Sequence, residues 1–150
     1  MFKLNLPTYN FRIKKAAEKF FIFDSLRKKF VSLTPEEWVR QNFLRFLVEE
    51  KQYPAALIAV EKQLNVNGLR KRFDALIYGN NAEPLVIVEF KAPNVEITQS
   101  VFDQAATYNL SLNVGYFIIS NGISHHFCKL DKENLKYIFY NDIPNYSAVL

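Results

Sequence analysis

Leu85-Val86-Ile87-Val88-Glu89-Phe90-Lys91 is the most apolar strand pattern in this sequence, and it ends in charge. The unbroken apolar start predicts a central strand that is covered on both faces. Because side chains alternate along a strand, Glu89 and Lys91 share one face while Phe90 points to the other. The core therefore gives way to charge at the carboxyl end of the strand, where ligands usually bind in sheets with crossover helices.

The segments around this strand predict a mixed sheet with helices on its faces. A helix over about 98–112 and a strand over 115–120 follow it, so residues 85–120 should form a right-handed parallel crossover. The turn signal Val66-Asn67-Gly68 joins two earlier strand patterns. The expected order is α-β-β-β-α-β-β, an α/β (α+β mixed) chain with four to six strands, at 57–64, 70–78, 85–91, 115–120, 124–130 and 136–140.

The first helix is predicted to begin at Thr34. Thr34-Pro35-Glu36-Glu37 places a hydroxyl at the N-cap, proline at the first helical position and glutamate three residues after the cap. Apolar residues then recur at helical spacing to about Lys51. The preceding residues read as an irregular arm with short strands, of which 19–24 is the best pattern. We therefore expect an N-terminal arm over 1–32 and a single domain over 33–150.

Composition limits the class of protein. The chain has 150 residues, 49% hydrophobic and 23% charged, which fits one globular domain. Its net charge of +4 suits a polyanionic partner. The single cysteine excludes an internal disulfide, and no run of apolar residues is long enough for a transmembrane helix. A soluble cytoplasmic protein is expected.

Three charged residues stand where the predicted sheet makes them costly. Asp74 lies within a strand, although aspartate is a poor strand former, and Glu89 and Lys91 end the most apolar strand. Two carboxylates on adjacent strands indicate a hard divalent cation such as Mg²⁺, which would polarise a phosphoryl oxygen. Lys91 would orient water or stabilise charge on the phosphate. A structural ion pair, Glu89 with Lys91 or Asp74 with an arginine, is the alternative.

Two further groups of residues have both a functional and a structural interpretation. Arg70, Lys71 and Arg72 precede Asp74 and would contact phosphates beside the cation, or else neutralise the carboxylates or form a solvated strand end. Gln104 and Tyr108 lie four residues apart on one helix face, where an amide and a phenol would bond phosphate oxygens or hold Lys91. Alternatively, Tyr108 is a core aromatic and Gln104 a surface residue.

The spacing of these residues resembles that of a known superfamily. Asp74, fourteen intervening residues and then Glu89-Phe90-Lys91 resemble the PD-(D/E)XK nucleases, with Phe73-Asp74 in place of Pro-Asp. A longer match is similar, in order and spacing, to the N-terminal domain of type I restriction enzyme R subunits over about 20–130. It rests on residues 33–41 (LTPEEWVRQ), 72–74 (RFD), 89–91 (EFK) and 103–109 (DQAATYN).

This resemblance implies a restriction-endonuclease-like core over 33–150 and a Mg²⁺-dependent (or Mn²⁺-dependent) deoxyribonuclease. Asp74 and Glu89 match the metal ligands, assisted by the carbonyl of Phe90, and Lys91 matches the catalytic lysine. Gln104 and Tyr108 match the QxxxY motif. An acidic residue of the first helix often completes such sites; Glu37 is preferred here to Glu36, although it also fits the capping box.

The implied partner is DNA, and no association with a membrane is expected. Type I R subunits join this domain to a helicase motor, so a separate helicase, translocase or specificity subunit is an expected partner. The alternative function is a nuclease-fold module that binds nucleic acid without cutting it, or an assembly subunit with a structural ionic cluster. Metal binding would separate these alternatives, and salt-dependent DNA affinity without cleavage would favour the binding module.

Overall fold

The computed structural model of the chain describes residues 1–66, 68–110, 112 and 114–150, with the side chains of all of these except Val66 and Tyr108. The helices are α1 (Pro35–Glu50) and α2 (Gln99–Leu110), with 3₁₀ turns at Ala55–Leu57 and Tyr146–Ala148. The strands are β1 (Ile13–Ala16), β2 (Lys19–Asp24), β3 (Lys29–Ser32), β4 (Ile58–Val66), β5 (Leu69–Tyr78), β6 (Pro84–Phe90), β7 (Tyr116–Ser120), β8 (His125–Asp131) and β9 (Lys136–Phe139).

The strands form two sheets. A six-stranded sheet has the spatial order β4-β5-β6-β7-β8-β9, and β1, β2 and β3 form a separate antiparallel sheet. In the larger sheet β6 and β7 are parallel and α2 connects them, whereas the other neighbours are antiparallel. The predicted mixed α/β fold and its parallel crossover are thus confirmed. Neither described helix has the length and apolar character needed to span a membrane.

Helices cover both faces of the larger sheet, which explains the apolar run in β6. Val86, Ile87 and Val88 are all fully buried. Val86 and Val88 pack in the cluster that contains Phe43 of α1, while Ile87 packs in the cluster that contains Phe102 of α2. The strand is therefore central, as its pattern predicts.

The start of α1 also agrees with its sequence. The Thr34 hydroxyl accepts a hydrogen bond from the backbone N–H of Glu37 at 3.0 Å, and Pro35 is the first helical residue. This cap fixes the direction in which the first turn of α1 meets the sheet. The tip of the predicted hairpin between β4 and β5, Asn67, lies outside the described residues.

The N-terminal arm, predicted to contain short strands, is more regular than its sequence indicates. Residues 13–32 form the three-stranded sheet, in which only β2 had been expected from the sequence. All four residues of β1 are exposed. A strand with no buried face has no apolar alternation for a sequence pattern to detect, and pairing with β2 supplies its order instead.

Candidate functional site

An open cleft of about 340 Å³ lies at the carboxyl end of β6, beside α2. Its described lining combines charged residues from β5 and β6 with the surface of α2. The lining residues are Lys71, Arg72, Glu89, Lys91, Val95, Val101, Gln104 and Ala105. The charged end of the apolar strand therefore opens into a space that a ligand can enter.

Asp74 is not one of the lining residues, but it lies next to Glu89 at the end of the β5–β6 ladder. The last paired residues at that end are Ala75 and Val88, so Asp74 and Glu89 follow directly on the two strands. The carboxylate of Asp74 accepts a hydrogen bond from the backbone N–H of Phe90 at 2.7 Å. Its side chain thus replaces a backbone acceptor where the ladder stops, which holds the carboxylate against β6.

Glu89 carries the clearest electrostatic anomaly of the cleft. Burial raises the pKa of its carboxyl to about 8, and the charge of Asp74 and a hydrogen bond with it act in the same direction. Lys71 and Lys91 oppose this shift of the pKa without cancelling it. Glu89 therefore retains its proton near neutral pH, because its buried position and the neighbouring charge of Asp74 both disfavour the ionised form.

The donor set fits a hard divalent cation. Asp74 and Glu89 offer carboxylate oxygens, and a bound cation would replace the proton that Glu89 retains. Among the described residues no three His, Cys, Asp or Glu side chains are grouped so as to hold a metal. A protein site of two carboxylates is nevertheless what Mg²⁺ commonly uses, since water and substrate phosphate supply its other ligands.

Lys91 and Gln104 reach the same cleft from different elements. Lys91 follows β6, and its backbone N–H donates to the carbonyl of Ser120 at 2.9 Å, which fixes the chain at that point. Gln104 is exposed on α2 and lines the opposite wall. The backbone of Tyr108 lies one turn further along α2, but its side chain lies outside the described part of the chain.

The three basic residues of β5 have different surroundings. Lys71 lines the cleft, where burial lowers the pKa of its ammonium group and Glu89 opposes that shift. Arg72 also lines the cleft, but its guanidinium donates to Glu61 of β4 at 2.6 Å. Arg70 is exposed on β5 opposite Asn65 and does not belong to the described lining.

Glu37, the predicted helix carboxylate, is committed to a structural role. It is buried, and its two oxygens accept hydrogen bonds from Arg27 at 2.9 Å, from Arg40 at 3.1 and 3.2 Å, and from Gln41 at 2.9 Å. With its oxygens thus occupied, the structure does not support the choice of Glu37 as a site residue. The capping-box glutamate points to its own helix and the arm, not into the cleft.

Glu36 is the helix carboxylate that lies in the field of the site. Burial raises the pKa of its carboxyl, with Asp74 raising it further while Arg40 and Lys91 lower it. These influences place Glu36 near both Asp74 and Lys91. The helical spacing could have indicated this position, because Glu36 and Arg40 are four residues apart and therefore lie on one side of α1.

Arg40 is the residue that sequence reasoning missed. It is 6% exposed, and its guanidinium donates to the backbone carbonyl of Asp74 at 3.2 Å and lies 3.9 Å from the Asp74 carboxylate. Opposite Asp74 on β4 stands Glu61, whose φ of 54° is unusual for a non-glycine residue within a strand. Arg40 therefore supplies a donor where the ladder between β4 and β5 is distorted.

Comparison with known proteins gives two matches and one negative result. The family model of the type I restriction enzyme R protein N terminus matches residues 35–144. A solved fragment of a putative HsdR subunit of a type I restriction enzyme from Vibrio vulnificus is similar in fold, with a TM-score of 0.55 and 18% identity. That alignment covers 78% of this chain but only 24% of the fragment. No curated protein gives a significant match.

Proposed function

Because this chain belongs to the family of the type I restriction enzyme R protein N terminus, we propose that it hydrolyses DNA phosphodiester bonds with Mg²⁺ or Mn²⁺. The observation that carries this proposal is that Glu89 and Lys91 line one cleft while Asp74 lies beside Glu89 at the end of the β5–β6 ladder. Burial and the charge of Asp74 raise the pKa of Glu89 there, and Lys91 and Gln104 line the same cleft. A cation held by the two carboxylates would face a phosphate that Lys71 and Lys91 also attract.

Each residue of the site would have a role that its position allows. Asp74 and Glu89 would hold the cation, with the carbonyl of Phe90, since the N–H and C=O of one strand residue point to the same neighbouring strand. When bound, the cation supplies charge neutralisation at the phosphate and a lowered pKa of water. Glu36 is added to the site in place of Glu37, because it lies in the field of Asp74 and Lys91.

Lys91 acts on the reacting groups directly. Its ammonium would orient the attacking water and stabilise the negative charge that develops on the phosphate oxygens. The water oxygen bonds to phosphorus as the bond to the sugar oxygen breaks; the water gives up a proton and the departing oxygen takes one. Gln104 and Tyr108 would donate hydrogen bonds to the phosphate, and Lys71 would add a further phosphate contact, as would Arg70 and Arg72.

The proposal that other subunits of a restriction system act with this chain rests on the family match alone. The chain spans about a quarter of the length of the solved fragment to which it is similar. A helicase, translocase or specificity subunit would then act together with this domain as a separate chain or as another part of the same protein. Such a motor would deliver DNA to the cleft.

The test is cleavage of linear duplex and single-stranded DNA by the purified chain, with Mg²⁺ or Mn²⁺ and with chelator. We expect cleavage that chelator abolishes and that Lys91→Ala reduces by about 100-fold or more. Lys129→Ala is the matched control, because Lys129 is exposed on β8 towards the other end of the sheet. Absence of both cleavage and metal binding in the wild type would contradict the proposal and leave a binding or assembly module.

A further inference from the structure

The positive charge of the chain is concentrated in its first 34 residues. That segment contains 8 Lys and Arg but only 2 Asp and Glu, a net charge of +6. Since the whole chain carries +4, residues 35–150 carry −2. The family match begins at residue 35, so the basic segment lies outside it. A charge excess confined to one region creates a local field that attracts a polyanion.

One face of the β1–β3 sheet holds its cations over aromatic rings. The guanidinium of Arg12 lies 4.8 Å from the ring centroid of Phe23, and the ammonium of Lys14 lies 4.1 Å from that of Phe30. Phe23 and Phe30 are cross-strand partners in edge-to-face contact. We call this surface the basic face; by register and alternation it carries Arg12, Lys14, Lys19, Phe21, Phe23 and Phe30, together with the small residues Ala16 and Ser32.

The acidic residues of the segment do not neutralise the basic face. All residues of 1–34 are described, and its two carboxylates have other partners. Asp24 is buried and accepts hydrogen bonds from Arg27 and from the backbone N–H of Leu26. Glu18 lies in the turn between β1 and β2, 3.6 Å from Lys15. The cations of the basic face therefore remain available to an external anion.

The β1–β3 sheet adjoins the cleft through one salt-bridge network. Arg27, in the turn after β2, lies 3.3 Å from the Glu61 carboxylate, and Arg72 at the edge of the cleft pairs with the same carboxylate at 2.6 Å. Lys28 and Lys29 are exposed beside Arg27. Positive residues thus continue from the β5 wall of the cleft to the turn of the small sheet.

We propose that the basic face is a second DNA contact, which binds backbone phosphates on DNA that extends from the cleft. This proposal rests on the proposed nuclease function. The aromatic rings restrict the long side chains of Arg12 and Lys14, so that less conformational entropy is lost when a phosphate binds. Phosphate contacts hold DNA without reading its sequence, and their strength falls with salt.

The test is the salt dependence of DNA binding by the full chain. Fluorescence anisotropy of a labelled duplex is measured in chelator, in a Lys91→Ala background so that cleavage cannot occur. Replacing Arg12, Lys14 and Lys19 together by Gln should lower affinity about tenfold or more at about 0.1 M salt. It should also reduce the slope of log affinity against log salt by about 3, as expected for three lost phosphate contacts.

Two control variants make the result specific. Replacing Lys129, Lys132 and Lys136 by Gln removes the same charge from β8, β9 and their connecting turn, and should leave affinity and slope within error. The exchange Arg12→Lys, Lys14→Arg and Lys19→Arg keeps the charge and should bind like the parent. If the triple Gln variant is unfolded by circular dichroism, single Lys14→Gln and Lys19→Gln variants should each reduce the slope by about 1.

The outcomes separate this inference from the proposed nuclease function. Unchanged affinity in the triple Gln variant, or an equal loss in the β8–β9 control, would overturn the basic face as a DNA contact. A wild-type chain that binds DNA through this face but neither cleaves it nor binds Mg²⁺ would instead contradict the nuclease function. Cleavage with unchanged salt dependence would contradict the second contact alone.

Discussion

At the scale of single residues, the proposed metal site predicts that protonation of Glu89 and metal binding oppose each other. Its raised pKa means that the proton it retains stabilises the fold fully below about 4.5, and that this stabilisation is lost as the pH rises towards about 8. With chelator present, we expect the Tm of the wild type to decrease over this range relative to Glu89→Gln. Mg²⁺ should raise the Tm of the wild type more at pH 8 than at pH 6, since deprotonated Glu89 is the ligand.

Thermal denaturation from about pH 5 to 9, with and without Mg²⁺, checks this prediction. Glu83→Gln is the control, because Glu83 is an exposed carboxylate in the turn before β6. The same pH dependence in Glu89→Gln and in the wild type would contradict the assignment.

Glu36 and Glu37 are adjacent, yet replacing each of them by Gln should change a different property of the protein. Glu37→Gln removes the buried carboxylate that pairs with Arg40 and one of the two that pair with Arg27, so it should lower the free energy of unfolding by about 3 kcal/mol. Glu36→Gln should leave stability nearly unchanged but reduce cleavage by about tenfold or more, because its carboxylate acts in the field of Asp74 and Lys91. Urea denaturation and initial cleavage rates measure the two effects, and a reversed pattern would return Glu37 to the site.

At the scale of elements, the site depends on how α1 is joined to β5. Arg40 makes this connection, because it bonds Glu37 within α1 and the carbonyl of Asp74 on β5. Arg40→Lys keeps the charge but loses the planar fork, so we expect a loss of about 1–2 kcal/mol in stability. Cleavage or Mg²⁺ affinity should fall by about 10-fold to 100-fold, as for residues that orient a ligand.

Arg45→Lys on the same helix is the matched control for Arg40→Lys. Arg45 pairs with Glu49 at the surface, where both side chains are more than one-third exposed. An exposed ion pair contributes little to the free energy of unfolding, so Arg45→Lys should alter stability by less than about 0.5 kcal/mol and leave cleavage unaltered. Equal effects of the two substitutions would argue that Arg40 has no special role in positioning Asp74.

At the scale of the whole molecule, the C-terminal segment closes the core on the α1 side. The phenol of Tyr53 donates to the carbonyl of Pro144 at 3.0 Å, and that of Tyr146 donates to the carbonyl of Tyr78 at 2.9 Å. Tyr53→Phe should therefore lower the free energy of unfolding by about 1 kcal/mol. Tyr137→Phe is the control, because its buried hydroxyl has no partner among the described residues and its loss should be neutral or stabilising.

Chemical denaturation of the two phenylalanine variants measures this difference. Since each loses one hydroxyl, their comparison isolates the hydrogen bond to Pro144 from the change in residue type. Equal destabilisation by both would show that the C-terminal segment is not held through Tyr53.

The sequence by itself determined the elements from α1 onward and the central position of β6. Local signals specify these features: the cap at Thr34, the apolar run 85–88 and the strand–helix–strand spacing each depend on neighbours close in sequence. It also brought Glu89 and Lys91 to the end of that strand. Alternation along one strand and pairing with the next are sufficient to predict that Asp74 lies beside them.

Only the tertiary structure decided which carboxylate of α1 faces the site. Glu36 and Glu37 have the same chemistry, and their roles separate because Arg27 of the arm, ten residues away, reaches Glu37 and not the cleft. The same is true of Arg40, whose partner on β5 is 34 residues distant, and of β1, which gains its order from β2 rather than from burial. Contacts between elements leave no periodic pattern along a single chain, so these assignments required the folded structure.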